Sequence, residues 1–408
     1  DFASLKDVMP LEDVKLDGRL EADLTWDTRM SYIEEERFDQ VDLEGRLLME
    51  QVVLESEDLP VPVLLSKLHM DFNPRLVNLV ALDLNLGSSD MHMDGELTNF
   101  IPYVFDGQTV AGTLNVSSTL LNANELLPES PAADSMGEEG ELSTDMPADT
   151  LPQPAQIKIP ENVDFAMTLQ MDRVIYEDVD VENIRGKMKV SQGIAYLEDL
   201  TLSLIEGEVS TSGKVDTRGE FADTDISIEA KGIDIQEAYK SFVAVEKLAP
   251  MAKYCRGTAN ATVSYKSLLD ASFSPVYESI NARGKMFTKG LKIHDLSSFG
   301  LLSEALKNDK LKDIAPDEVE ASFTVKDGRV IFQPFDMAFE SSKIKMSGSH
   351  GIDMTLDYVL DMDIAKSDLG QGAKDLMNGM ALLAAGAGIK VPQSDYVNVK
   401  AHITGTFD

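Results

Sequence analysis

Cysteine is almost missing: Cys255 is the single one in 408 residues, so no disulfide forms within the chain. It sits in KYCRG and reads as a half-buried small residue. Basic residues are also few, 36 Lys and Arg against 71 Asp and Glu, a formal charge of −35. A surface of that sign repels phosphate backbones, so no nucleic-acid partner is expected. It also disfavours broad adhesion to anionic lipid head groups. Lipid chains stay admissible, because they bind through apolar area. No apolar run reaches the roughly 20 residues that cross a bilayer. The sequence begins at Asp1, so a signal peptide or anchor is expected, if anywhere, upstream.

Motifs of catalysis are missing as well. There is no G-x-S-x-G elbow, no P-loop and no G-x-G-x-x-G turn. The five histidines, His69, His92, His294, His350 and His402, form neither HExxH nor a His-x-His pair. Asp357, Asp361 and Asp363 share part of one strand face and read as a solvated surface. No catalytic residue, metal site or cofactor is expected.

What the chain has is alternation. In LDGRLEADLTW, Leu16, Leu20, Ala22, Leu24 and Trp26 share one face. In MTLDYVLDMDI, Met354, Leu356, Tyr358, Leu360, Met362 and Ile364 do the same. YVNVKAHITGTF aligns Val397, Val399, Ala401, Ile403 and Phe407. A period of two over such lengths predicts long strands with one apolar face, and antiparallel sheets rather than a doubly wound core. That face either fills a core or lines a groove. Methionines at 91, 93, 337, 346, 354 and 362 suit both.

Glycines recur with it. Gly18 to Gly45, Gly186 to Gly213 and Gly257 to Gly284 are each 27 residues. VNLVALDLNLGSSDMHMDG (77–95) and VIFQPFDMAFESSKIKMSG (330–348) share an aspartate, a serine pair and a strand into glycine. LEDLTLSLIEGEVSTSG, closing at Gly213, is a looser third copy. These registers indicate internal duplication. Helices are expected near 235–249, 296–308 and 368–387, the last as a buried cap, with a peripheral membrane contact as the alternative. The stretch 128–156 is acidic, proline-rich and free of basic residues, and reads as a loop or linker. It divides the chain into an N-terminal β-repeat region, 1–127, and a C-terminal β region, 157–408.

EVEASFTVKDGRVIFQPFDMAFESSKIKMSGSHGIDMTLDYVLDMDI (318–364) resembles the C-terminal region of the AsmA family. The likeness includes Asp327, Gly328, Pro334, Phe335 and Gly348, and extends through ARGKMFTKGLKIHDL and VNVKAHITGTFD over about 227–408. The resemblance implies an envelope protein of diderm bacteria, with a periplasmic body and an inner-membrane anchor. The fold expected with it is mainly β: an elongated, curved antiparallel sheet of repeated units with capping helices and an apolar groove. The function expected is non-enzymatic envelope biogenesis, holding or transferring phospholipid along the groove. The alternative is a scaffold or chaperone-like module for outer-membrane protein assembly, acting through strand edges on envelope partners. Met354, Leu356, Tyr358, Leu360 and Met362 are the candidate lipid-facing strand. Gly284, Asp327, Gly328 and Gly348 are the candidate structural turns.

Overall fold

In a computed structural model of the chain, the described residues are 15–126, 158–386 and 394–407, apart from short gaps at 30, 33–34, 36, 56–60, 74, 177, 272, 295, 297–299, 301–302, 305–311 and 317. The linker at 128–156 and most of the expected helix at 296–308 lie outside them. The chain folds as two units. The first comprises Asp1–Ser203, Ser210–Asp225 and Leu268–Ser274; the second comprises Leu204–Val209, Ile226–Ser267 and Pro275–Asp408.

The first unit contains β1 (Lys15–Asp27), β2 (Asp42–Glu55), β3 (Val63–Phe72), β4 (Leu76–Leu86) and β5 (Ser89–Thr98), each antiparallel to the next. A short helix, α1 (Phe100–Asp106), then leads to β6 (Val110–Ser118), which pairs with β5. After β7 (Leu121–Asn122) come β8 (Val163–Tyr176) and β9 (Val179–Ser191). β8 lies parallel to β6 and antiparallel to β9. A parallel neighbour requires a long connection, and the chain between Ser118 and Val163 supplies it. The strands on either side of the 128–156 stretch therefore pair within one unit. β10 (Ile194–Leu204), β11 (Gly207–Asp216) and β12 (Ala222–Asp234) follow.

In the second unit, α2 (Ile235–Ser241) starts where the Asp234 carboxylate accepts the Glu237 N–H at 2.8 Å, an N-cap. Phe242, in an extended conformation, breaks the expected long helix, and α3 (Val243–Leu248) continues beyond it. Then come β13 (Cys255–Leu269), β14 (Asn281–Ile293), β15 (Glu318–Lys326), β16 (Arg329–Phe339), β17 (Ser342–Gly351) and β18 (Thr355–Ala365). Helix α4 (Gln371–Gly386) precedes β19 (Tyr396–Thr406). From β13 to β19 every recorded register is antiparallel.

The mainly β, few-helix architecture is what alternation demands, but two details correct the expected curved antiparallel sheet. The sheet is not curled or closed: among the described residues the recorded register of β1 is with β2, and that of β19 is with β18. The β6–β8 pairing is parallel. Curvature was expected together with an apolar groove lined by the one-faced strands, and the second unit instead fills that face. Leu291, Ile293, Val319, Met337, Ile344, Met346, Tyr358, Leu360, Met362 and Ile364 form one buried cluster. Ile235 of α2, Met251 and Tyr254 from the turn at Pro250–Tyr254, and Ala373 and Met377 of α4 pack against it. Helices cover the face, so the sheet has no need to roll up.

The duplication is visible in three dimensions. Hairpins β4–β5 and β16–β17 each close on a pair ending in serine, Leu86↔Ser89 and Phe339↔Ser342. Both serines are buried. Each hairpin shifts register at the same place, between Leu79 and Leu82 in one and Phe332 and Phe335 in the other. Each pairs the residue before that bulge with a glycine, Leu79↔Gly95 and Phe332↔Gly348. A Cβ on Gly95 would lie 2.0 Å from the Thr113 carbonyl oxygen, and one on Gly348 would lie 2.2 Å from that of Asp357. Their φ values of +152° and +141° are unfavourable to other residues.

Candidate functional site

Among the expected turn residues, Asp327 and Gly328 connect β15 to β16 with φ of 51° and 68°, the paired positive values of a tight hairpin. Gly348 lies inside β17 and Gly284 inside β14, so these are strand glycines, not turns. A Cβ on Gly284 would meet the Phe323 ring at 2.6 Å.

The expected lipid-facing strand maps onto β18 and the residue before it. Leu360 and Met362 are each 1% exposed and Tyr358 is also buried, all in the helix-covered cluster. Leu356 is partly buried against that cluster, and Met354 sits at the preceding turn with φ of 64°. This face is a filled core.

The carboxylates and histidines are engaged in separate pairs. His402 Nε2 lies 2.7 Å from Asp357, and the Asn398 amide donates to Asp361 at 2.9 Å and Asp363 at 3.1 Å. His69 meets Asp71 at 3.1 Å, His294 meets Asp313 at 2.8 Å, and His92 pairs with Asp83. His350 is buried: its Nε2–H donates to the Leu248 carbonyl at 2.9 Å, leaving Nδ1 to accept the Tyr358 hydroxyl at 2.6 Å. Burial lowers the His350 pKa, against the opposing effect of the Leu248 bond and with a smaller contribution from the Arg329 charge. Burial also raises the Cys255 thiol to about 11, which makes it a poor nucleophile. Among the described residues, no group of three or more His, Cys, Asp or Glu side chains could hold a metal ion.

The first unit is built differently. Its registers align three rows of residues on one face across eight strands, from β1 to β9. One row runs Leu24, Gly45, Phe72, Val77, Leu97, Gly112, Phe165, Val190. The next runs Ala22, Leu47, Met70, Leu79, Gly95, Leu114, Met167, Met188. The third runs Leu20, Met49, Leu68, Leu82, Met93, Val116, Leu169, Gly186. No charged or amide side chain interrupts them. Near β2–β4 the face is buried, with Phe100 of α1 edge-on to Phe72 at 5.8 Å. Across β6, β8 and β9, Leu114, Phe165, Met167, Met188 and Val190 are only half-buried. At β1, Trp26 on the same strand face is 45% exposed.

The opposite side of these strands is polar. A depression of about 880 Å³ is lined by His92, Asp94, Glu96, Asn115, Lys187 and Lys189, together with Leu79, Leu114, Met167 and Met188 of the second row. Asp94 accepts the Asn115 amide at 2.8 Å, and Lys189 lies 3.2 Å from Asp164. The unit thus has one wet face and one continuous apolar face.

The AsmA family matches residues 92–266, from within β5 into β13. The likeness to the AsmA family rests on these residues. The matched stretch includes β6, β8 and β9 and overlaps the expected 227–408 region over 227–266. No curated protein and no solved structure matches the chain. The match agrees with the general expectation of a β-rich, envelope-associated AsmA-like protein. Among the described residues, no helix is long and apolar enough to cross a membrane.

The open face was missed by sequence reading. The alternation of Phe165, Met167, Leu169 and Met171 in VDFAMTLQMD was the available signal. Alternation, however, is the same for a covered and an uncovered face. Helix α1, FIPYVFD, was missed too; its signal was a short apolar run with proline in the first turn, where no intrahelical N–H is lost.

Proposed function

We propose that this AsmA-like chain is a non-enzymatic envelope protein that holds phospholipid by its acyl chains on the apolar face of the first unit. The observation that carries this reading is the set of three uninterrupted apolar rows, of which the first two are half-buried across β6, β8 and β9 while the third is buried at Val116 and Leu169. A half-buried row keeps apolar area in contact with water, and an acyl chain laid along it removes that area. Each buried methylene contributes about 0.8 kcal/mol. Methionines at 93, 167 and 188 give the face a surface that adapts to chains of different shape. Holding needs no cofactor. Transfer between membranes, an inner-membrane anchor and the periplasmic setting are parts of the same proposal.

The test is native mass spectrometry of gently purified protein, with lipid extraction from the same sample. Phospholipid at reproducible stoichiometry, lost in a Met167→Asp/Met188→Asp variant that keeps its strand signal in circular dichroism, supports the reading. Lipid-free protein that also takes up no fluorescent phospholipid refutes it.

A second reading, a scaffold acting through strand edges, is favoured by β19. The Phe407 N–H donates to Met354 and the Asp395 carbonyl accepts from Lys366, so odd-numbered backbone groups face β18. Those of Asn398, Lys400 and His402 turn to the other edge, where an extended client could pair. Lys400→Pro removes one outward N–H while leaving the ladder to β18 intact, and loss of client binding in that variant would favour this reading.

A further inference from the structure

We infer that the exposed aromatic patch of Trp26 and Phe105 is a contact site for a zwitterionic lipid surface, through which phospholipid reaches the apolar face. This rests on the reading of that face as the lipid-holding surface. Trp26 is 45% and Phe105 48% exposed, and their rings meet edge to face at 5.6 Å. Leu24 and Val104 are exposed beside them in sequence. Exposed aromatics of this size are unfavourable in water unless something covers them.

The placement says what covers them. Leu24 and Trp26 share the side of β1 that opens the three apolar rows, and Trp26 pairs with Leu43 of the buried cluster beneath α1. The patch is therefore continuous with the proposed lipid path. It also lies at one end of the sheet, where the β1–β2 loop, the β3–β4 turn and α1 meet. A cavity of about 370 Å³ there is lined by Phe38, Arg75, Phe100 and Ile101 among others.

The surrounding charges select the surface. Asp27 and Asp42 face each other at the end of the β1–β2 ladder, on the strand face opposite Trp26, and Asp106 follows Phe105. Arg29 and Arg37 follow in the β1–β2 loop, both over the Tyr32 ring, at 5.7 and 4.6 Å, and Arg37 is also paired with Glu35 at 2.9 Å. A zwitterionic head group offers an ammonium to Asp106 and Glu35 and a phosphate to Arg29. An anionic surface would meet Asp106, Glu35 and a chain of −35. An indole with its ring apolar and its N–H wet suits the head-group layer.

Trp26 is the sole tryptophan, so its fluorescence reports on this patch alone. The full chain is mixed with phosphatidylcholine vesicles, with and without bromine in the acyl chains. The expected result is a blue shift and loss of most Trp26 emission to the brominated lipid, both weaker with phosphatidylglycerol vesicles at low salt. Val104→Ser/Phe105→Ser should abolish both, while monomeric short-chain phospholipid still binds by native mass spectrometry. Absence of quenching by phosphatidylcholine vesicles overturns the inference even if monomeric lipid binds. A blue shift that grows with protein concentration without vesicles also overturns it, since a second copy then covers the patch. Vesicle quenching without bound monomeric lipid would instead remove the proposed function and leave the surface contact standing.

Discussion

Truncating one leucine in each unit separates a sealed face from an open one. Leu360 is 1% exposed and sits among Ile344, Met346, Tyr358 and Met362 beneath the helices. Leu360→Ala removes three heavy atoms and leaves a void that a close-packed cluster closes only in part. The cost expected is about 2–5 kcal/mol. Leu114 is only half-buried, so Leu114→Ala gives up about half the transfer free energy of a buried leucine, roughly 1 kcal/mol, and creates no closed cavity. Urea unfolding followed by circular dichroism gives the midpoints, and hydrogen exchange assigns each loss to its own unit. Lipid occupancy should follow the opposite order, unchanged in Leu360→Ala and reduced in Leu114→Ala. A Leu360→Ala cost below about 1 kcal/mol, in the range of an open face, would refute the description of β18 as core.

Three further outcomes are expected. The His350 pKa is depressed, so the folded state resists protonation that the unfolded state accepts; its contribution to stability is complete above the ordinary histidine pKa of 6.5 and is lost as pH falls through the lower folded value. Between pH 7 and 5 the wild-type midpoint should fall more steeply than that of His350→Gln, as urea titrations at each pH would show. Gly95→Ala forces a Cβ to within 2.0 Å of the Thr113 oxygen and should lower the melting temperature, whereas Gly379→Ala in α4 meets nothing within 4 Å and should raise stability by up to about 1 kcal/mol. Calorimetry on the two variants reads both signs. Phe332→Ala strips the ring stacked near Phe323, Phe335 and His350 at 5.9–6.2 Å and should cost about 3 kcal/mol, measured in the same denaturant titration.

Much of the strand pattern was legible because alternation is local. The faces of β1, β18 and β19 follow directly from LDGRLEADLTW, MTLDYVLDMDI and YVNVKAHITGTF. The paired stretches 77–95 and 330–348 also fold as matching hairpins, down to the bulge before Gly95 and Gly348. What depends on distant parts of the chain was not legible. The parallel β6–β8 pairing is set by a connection whose sequence carries no strand signal. The break at Phe242 replaces one expected helix by two, because Asp234 starts a turn that the chain leaves again after Ser241. The candidate site moved for the same reason: β18 and β8 alternate alike, but helices cover the first while much of the second stays half-buried. Glycines assigned to turns proved to be strand glycines, because sequence shows that a position needs glycine without showing whether a turn or a neighbouring backbone is the cause.

Site-specific photo-crosslinking to phospholipid tests the central claim most directly. A photoreactive residue is placed at Leu114 or Met167 on the apolar rows, at Asn115 or Thr168 on the opposite side, and at Leu356 of β18. Adducts with phospholipid at 114 and 167, and none at 115, 168 or 356, are predicted. Equal labelling of both sides, or labelling confined to 356, would contradict the account.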